Sequence, residues 1–554
     1  MISDVRAAAV AVLLISGCGG DHPRSHGEAP PGDGDTVMVP AEDHSGHHGI
    51  PSTDGEDVGR VSFTASCEPA AMERLEVGLA MFHSFWFPQA DGAFQEALEQ
   101  DPACGMAEWG RAITRMGNPY AGSIPEARRS EAMAALDRAE AAGLPTERER
   151  EWVAAFRQLF GEGGETERER RLAWESAMEE MATRHPEDPE TRVFLGLALL
   201  AAAPPEDTTF ARQLRAAEIL EELFRDRPEH PGLAHYIIHA YDVPALAERG
   251  LEAALRYADI APDAPHALHM PSHIFTRLGM WDRSIQANLR SAEASGGDWE
   301  RVHAWDYLVY AYLQQGRDRE AAEMVERALA AAEELSSPAL AHGTFNWQAM
   351  PARLVLETGD WEGAAALPPT GDGAGPAVAI RHFARGIGMA RTGDLEGAAR
   401  EAARLGTIRD GMSAAGEVYW AGVVEAQMLG VQAWIHRGEG EVETALALLD
   451  QAAALEEEVE KHPVTPGPLL PAREMHGELL LEAGAPGPAL NSLRRVLERE
   501  PHRARATFLA GLAAREAGEV AEAELHFAAY RELTGGGDGT RAWDRIAWEG
   551  VGDG

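Results

Sequence analysis

Between residues 233 and 316 the chain concentrates histidine, aspartate and tyrosine at helical spacing. "LAHYIIHAYD" (233–242) carries His235 and His239, and "HALHMPSHIFTRLG" (266–279) carries His266, His269 and His273. "HAWDYLVYAYLQQG" (303–316) carries His303, Asp306 and Tyr310. The two H-x3-H pairs, His235/His239 and His269/His273, lie 34 residues apart, member for member. At 100° per residue, positions i, i+3 and i+7 share one helix face, while Leu268, Ser272 and Phe275 point the opposite way. Imidazoles one turn apart can hold a metal ion from one helix, and a second pair from the next helix completes four ligands. A thiolate-free set suits Zn, Cu, Ni or Fe, with Zn or Cu expected here. The four paired histidines are the candidate ligands, with His266, His303 and Asp306 in secondary roles. Asp306 fits a ligand, an acceptor orienting a histidine, or a general base. H-E-x-x-H is absent, and the same side chains can hydrogen-bond a peptide without any metal. Both readings stand at this point.

Positioning these residues requires helices in register. Aligning by Gly279 and Gly316 sets His266 opposite His303, His269 opposite Asp306 and His273 opposite Tyr310. Pro271 interrupts the pattern, because it removes a backbone donor and disfavours helix at Met270. Either the helix is kinked there or it starts there with His266 and His269 in a lead-in loop. The continuous pattern of 303–312 favours the kink.

Helix, short turn, helix is the plan from Val61 onward. "FQEALEQDP" (94–102) with "CGMAEWGRAITRMG" (104–117), "LVYAYLQQGRDREAAEMVERALA" (308–330) and "LAGLAAREAGEVAEAELHFAAY" (509–530) repeat it. The pattern resembles tetratricopeptide (TPR) repeats, with Trp109, Gly110 and Gly117 matching in one unit and Trp305, Leu308, Tyr312, Gly316 and Ala321 in another. The 34-residue spacing is the period of that repeat. "HSFWF", "HALHMPSHIFTRLG" and "HPVTPGPLLPARE" together resemble a subfamily of exported bacterial TPR proteins. The resemblance implies an all-α solenoid of stacked helix hairpins with a concave groove. It also implies that first helices line that groove, placing all eight residues above on one wall, with Tyr310 contacting ligand. His83 and Trp86 of "MFHSFWF" are expected to join it from the first unit.

A chain of 554 residues invites several domains or a repeat array. The organisation expected is a signal peptide (1–17), a disordered tether (18–60), a histidine-rich solenoid (61–366), a loop (367–376), further repeats (377–536) and a tail (537–554). "KHPVTPGPLLPARE" (461–474) reads as a rigid connector, with His462 a weak candidate, and Arg353 as half of a surface ion pair. The formal charge of -41 repels phosphate backbones, which disfavours nucleic acid, and disfavours adsorption to anionic lipid. Lys461 is the only lysine and follows Glu460, so no phosphate loop of Gly-Lys type exists. No G-x-S-x-G is present, so serine hydrolase chemistry has no support.

"MISDVRAAAVAVLLISGC" resembles a bacterial lipoprotein signal, with Cys18 as the lipidated residue. The resemblance places the protein outside the cytoplasm on a lipid anchor, with Gly19 pointing to the outer membrane facing the periplasm. Cys67 and Cys104 then form an even pair in an oxidising compartment and are expected to be disulfide-bonded. The leading functional reading is a lipid-anchored binding or scaffold protein taking a peptide, a transition metal or both in its groove. The alternative is a histidine-ligated metalloenzyme of hydrolase or oxidase type. An open groove favours the first, and an enclosed centre with a free metal position favours the second.

Overall fold

The computed structural model describes residues 57–120, 122–204, 207–296, 298–334, 344–369 and 375–549. The signal segment, Cys18 and most of the tether therefore lie outside the described residues, as do 370–374 within the expected loop and 550–554. Every regular element among the described residues is a helix. Successive helices join through short turns and pack on one another as pairs, such as Pro69–His83 with Phe87–Gln100 and Trp281–Ala294 with the helices just before it. Each pair then packs on the next, which is the solenoid architecture.

Local sequence sets the pair boundaries. Pro231 and Pro265, one repeat apart, each occupy the first position of a helix, where a missing N–H costs nothing. Gly279 and Gly316 both adopt φ +65° at the turn between paired helices, a conformation that β-carbons oppose. At Pro271 the helix divides into Pro265–His269 and Pro271–Arg277, joined through Met270 in right-handed helical geometry. The chain is thus kinked there, and His266 and His269 stay helical.

The array returns on itself. Helix Pro69–His83 packs against Pro231–Tyr241, and helix Asp298–Gln314 against Ala504–Glu516. The Trp281 indole N–H donates to the His502 carbonyl at 3.1 Å. Residues either side of the 367–376 break share one core, with Ala349, Ala352 and Leu356 packed among Val378, Phe383 and Leu405. The two parts expected on either side of 367–376 thus contribute to one shared core. The described part of the tail packs as well. Arg541, in 537–549, is buried and ion-paired with Asp318, and Ala547 is fully buried. The tether's last residues also pack, with Val58 buried and the Arg60 N–H donating to the Glu229 carbonyl at 2.9 Å.

Cys67 and Cys104 are joined by a disulfide, with Cα atoms 4.9 Å apart and a sequence separation of 37. By chain entropy a loop of that length is worth about 4 kcal/mol. It fastens the irregular lead-in 57–66 to the first helix pairs, where Phe63 stacks on Trp109.

Candidate metal centre

Three first helices of consecutive pairs, Pro231–Tyr241, the kinked Pro265–Arg277 and Asp298–Gln314, bring six histidines together. They form two trios rather than one quartet. His235, His239 and His266 place their ligand atoms within 4.8 Å of one another, and so do His269, His273 and His303. Rings of the two trios lie close together, His239 with His273 and His266 with His269 each at 6.2 Å between centroids. His235, His269 and His273 are buried, and the other three are partly buried.

Hydrogen bonds fix which ring nitrogen faces inward. His235 Nδ1 lies 2.6 Å from the His83 carbonyl oxygen, which can only accept, so Nδ1 carries the proton and Nε2 a lone pair. His239 Nε2 and His266 Nε2 each stand 3.1 Å from that Nε2. His273 Nδ1 donates to Asp242 Oδ2 at 2.8 Å. His269 Nδ1 donates to Asn288 Oδ1 at 2.6 Å, and the Asn288 amide is oriented by its own donation to the Ser284 carbonyl. Both His269 and His273 therefore aim Nε2 lone pairs at each other, 3.0 Å apart. Facing lone pairs repel unless a cation lies between them. Two imidazoles on one tetrahedral zinc would stand roughly 3.3 Å apart, given a Zn–N bond of about 2.0–2.1 Å.

A proton is a poor cation here. Burial lowers the pKa of all six histidines, that of His269 to about 3. Neighbouring imidazoles lower the other five further, while His273 is raised by Asp242 and lowered by Lys461 and Arg277. Burial would raise the Asp242 carboxyl, but Lys461, Arg277 and His273 outweigh it and hold it well below the usual range. Arg277 Nε donates to Asp242 Oδ1 at 2.9 Å, and Lys461 Nζ to Oδ2 at 3.3 Å. Asp242 is thus an ionised acceptor that orients His273, the role such groups play behind metal-bound imidazole.

The remaining expected residues fall elsewhere. Asp306 is fully buried and binds Arg353 Nε at 3.1 Å and Asn346 Nδ2 at 3.0 Å, so it is an anchor rather than a ligand or base. Arg353, expected at the surface, is fully buried with it. Tyr310 points its hydroxyl at Glu500 and Arg503, at 3.4 and 3.3 Å, away from the histidines. Helix rotation explains both: Tyr307, one turn before the expected Tyr310 and adjacent to Asp306, takes the inward face. Its hydroxyl is 3.3 Å from His273 Nε2 and its ring 4.8 Å from His269. From "HSFWF" it is Phe85, not Trp86, that covers the first trio, at 4.4 Å from His235 and 5.3 Å from His266. Trp86 packs against the adjoining apolar core instead.

His83 belongs to a third group. Its Nε2 is 3.0 Å from Glu190 Oε2, and His230 Nε2 is 2.7 Å from Oε1. Burial would raise Glu190, yet His230 and His83 hold it far below the carboxylate range. With its carboxylate already doubly bonded, this group reads as a support. Gly232 lets helix Pro231–Tyr241 approach it, since a β-carbon there would meet the His83 ring at 2.8 Å.

The histidine wall is not an open groove. Within the expected connector 461–474, residues 461–471 cross over the second trio as a strap. Tyr307 donates to the Pro463 and Thr465 carbonyls at 3.4 Å, Asn346 to Val464 at 2.9 Å, and Arg353 to Gly467 at 3.1 Å. Sequence reasoning missed Tyr307, Asp242 and Asn288 as parts of the centre. Asp242, three residues after His239, carried a signal in its spacing; Asn288, on the partner helix, carried none.

No protein-family model and no curated protein matches the chain. Solved structures that align with it include the human IFIT1 dimer with m7Gppp-AAAA, at 12% identity over 81% of this chain and 95% of that one, with a TM-score of 0.34. The APC/C hetero-tetramer Cut9-Hcn1 aligns at 14% identity over 81% and 77%, with a TM-score of 0.35. The P58(IPK) TPR domain aligns at 11% identity over 81% and 99%, with a TM-score of 0.21. Superpositions this loose carry no argument about what the chain does. Its own paired helices make the fold an all-α, TPR-like solenoid.

Proposed function

We propose that this chain is an exported TPR-like lipoprotein, anchored through Cys18, whose helix stack holds two transition-metal ions, Zn or Cu, one in each histidine trio. The observation that carries the reading is the approach of the His269 and His273 Nε2 lone pairs to 3.0 Å with both Nδ1 protons committed elsewhere. The first trio repeats the arrangement around His235. Neutral imidazoles suit such metals.

Two features favour a metalloenzyme over a passive metal store. Three protein ligands leave a coordination position free for water or substrate, as catalytic sites do. The trios are also enclosed, by Phe85 on one side and the strap on the other. A protein or peptide partner remains compatible with the helical array, on a face other than the covered histidine wall.

Metal analysis of protein purified without chelators tests the reading. Two ions per chain are expected in wild type. His235→Ala/His239→Ala and His269→Ala/His273→Ala should each retain one, with helical circular dichroism unchanged. A wild-type protein that is metal-free and takes up neither Zn nor Cu overturns it.

A further inference from the structure

Lys461 is the only lysine in a chain whose every other full-time cation is arginine. It is neither on the surface nor in an ordinary ion pair. Its side chain is 7% exposed, and among the described residues its only hydrogen-bond acceptor is Asp242 Oδ2, 3.3 Å away. That carboxylate is already shared with Arg277 and His273, and two of the three ammonium protons have no acceptor among the described residues. A buried ammonium left so is costly unless something else receives it.

The position faces a cavity between the strap and the helices Phe345–Thr358 and Val418–Glu439. One wall is aromatic: Trp420 has Phe345 at 5.6 Å and Tyr419 at 5.0 Å between ring centroids, all three partly exposed. Tyr419 donates to the Glu460 carbonyl at 3.0 Å, which sets this wall beside Lys461. Among the described residues no acidic side chain of the cavity hydrogen-bonds the ammonium, and Glu500 acts on it only through space. Glu457 accepts from Arg473 and Arg495, and Glu460 from Arg499. Burial pushes Glu456 up to about 7 and raises Glu500, which weakens both as counter-charges. Thr465, another lining residue, accepts the Tyr307 hydroxyl, so the cavity abuts the second trio.

We infer that this cavity binds a small organic acid, its carboxylate received by Lys461 and its aromatic or branched apolar body laid against Trp420, Tyr419 and Phe345. An ammonium suits a single carboxylate oxygen approached from a narrow space, where a guanidinium fork would demand a planar partner and more room. As the substrate pocket of the metal centre the site rests on the reading above; as a binding site it does not.

Calorimetric titration of the full chain with phenylacetate and its neutral isostere phenylacetamide tests the inference, with metal content measured on the same samples. Phenylacetate should bind, and phenylacetamide roughly tenfold more weakly or worse, as expected for losing a charged hydrogen bond. Lys461→Met should lose phenylacetate by a similar factor while keeping its metal. Trp420→Ala, which leaves the ammonium in place, should weaken both ligands together. Equal affinity for the two ligands, no binding of phenylacetate, or undiminished binding by both variants overturns the inference. Phenylacetate binding to a metal-free wild type would sink the metal reading alone, and a two-ion protein indifferent to phenylacetate would sink this one alone.

Discussion

Asp242 receives Arg277, Lys461 and His273 on one carboxylate. Asp242→Asn keeps the shape and removes the charge that holds the His273 tautomer. Competition against a chelator of known affinity should show the second-trio ion bound about 10–100-fold more weakly, with the first-trio ion unaffected. Acidification acts on the same residues. Burial keeps the imidazoles below their ordinary 6.5, His269 at about 3, so between those values the unfolded chain binds more protons than the folded one. The metal-free protein should therefore hold its full stability above about pH 6.5 and lose it as pH falls, seen as a falling Tm. Bound metal should leave in the same direction. Glu456, raised to about 7 by burial, opposes this modestly, its contribution fading as pH rises from 4.5 through 7. A Tm that rises on acidification from pH 6.5 to 5 would contradict the neutral-imidazole assignment.

The strap is the element that turns a groove wall into an enclosed centre, and Arg353 is its latch. From helix Phe345–Thr358 it binds Asp306 on one side and the Gly467 carbonyl and Thr465 hydroxyl on the other. Arg353→Met leaves the buried Asp306 charge without its cation, so unfolding should be easier by about 3–5 kcal/mol. Chemical denaturation measures it, and Asp306→Leu added to Arg353→Met should recover part of the loss. Legibility differed by element. The histidine helices were readable because a 34-residue repeat forces equivalent positions onto equivalent faces, and Pro271 announced its own kink. Asp306 and Tyr310 were assigned by the same register, yet an untwisted alignment cannot see that Tyr307 rather than Tyr310 faces His273. The strap looked like a connector because its four prolines and glycine say only that the backbone is stiff and not helical. Its partners lie more than a hundred residues away, at Asn346, Arg353 and Tyr307, and no local pattern encodes them.

At the scale of the whole molecule, a helix stack that returns on itself makes distant segments answer for one site. Helix Pro69–His83, the strap and the last helices all brace the histidine helices or their neighbours. Loop composition at 367–376 suggested a division because Gly and Pro mark turns and linkers alike; only packing separates the two. The lysine described above has one more consequence, for proteolysis. A protease that cuts only after lysine has a single target in all 554 residues, and that target is buried at the start of the strap. Cleavage into two fragments then becomes a clock for strap opening. Native protein should resist, metal removal or Arg353→Met should speed the cut, and phenylacetate should slow it. Cutting at the same rate in all four states would mean that the strap opens independently of the centre it covers.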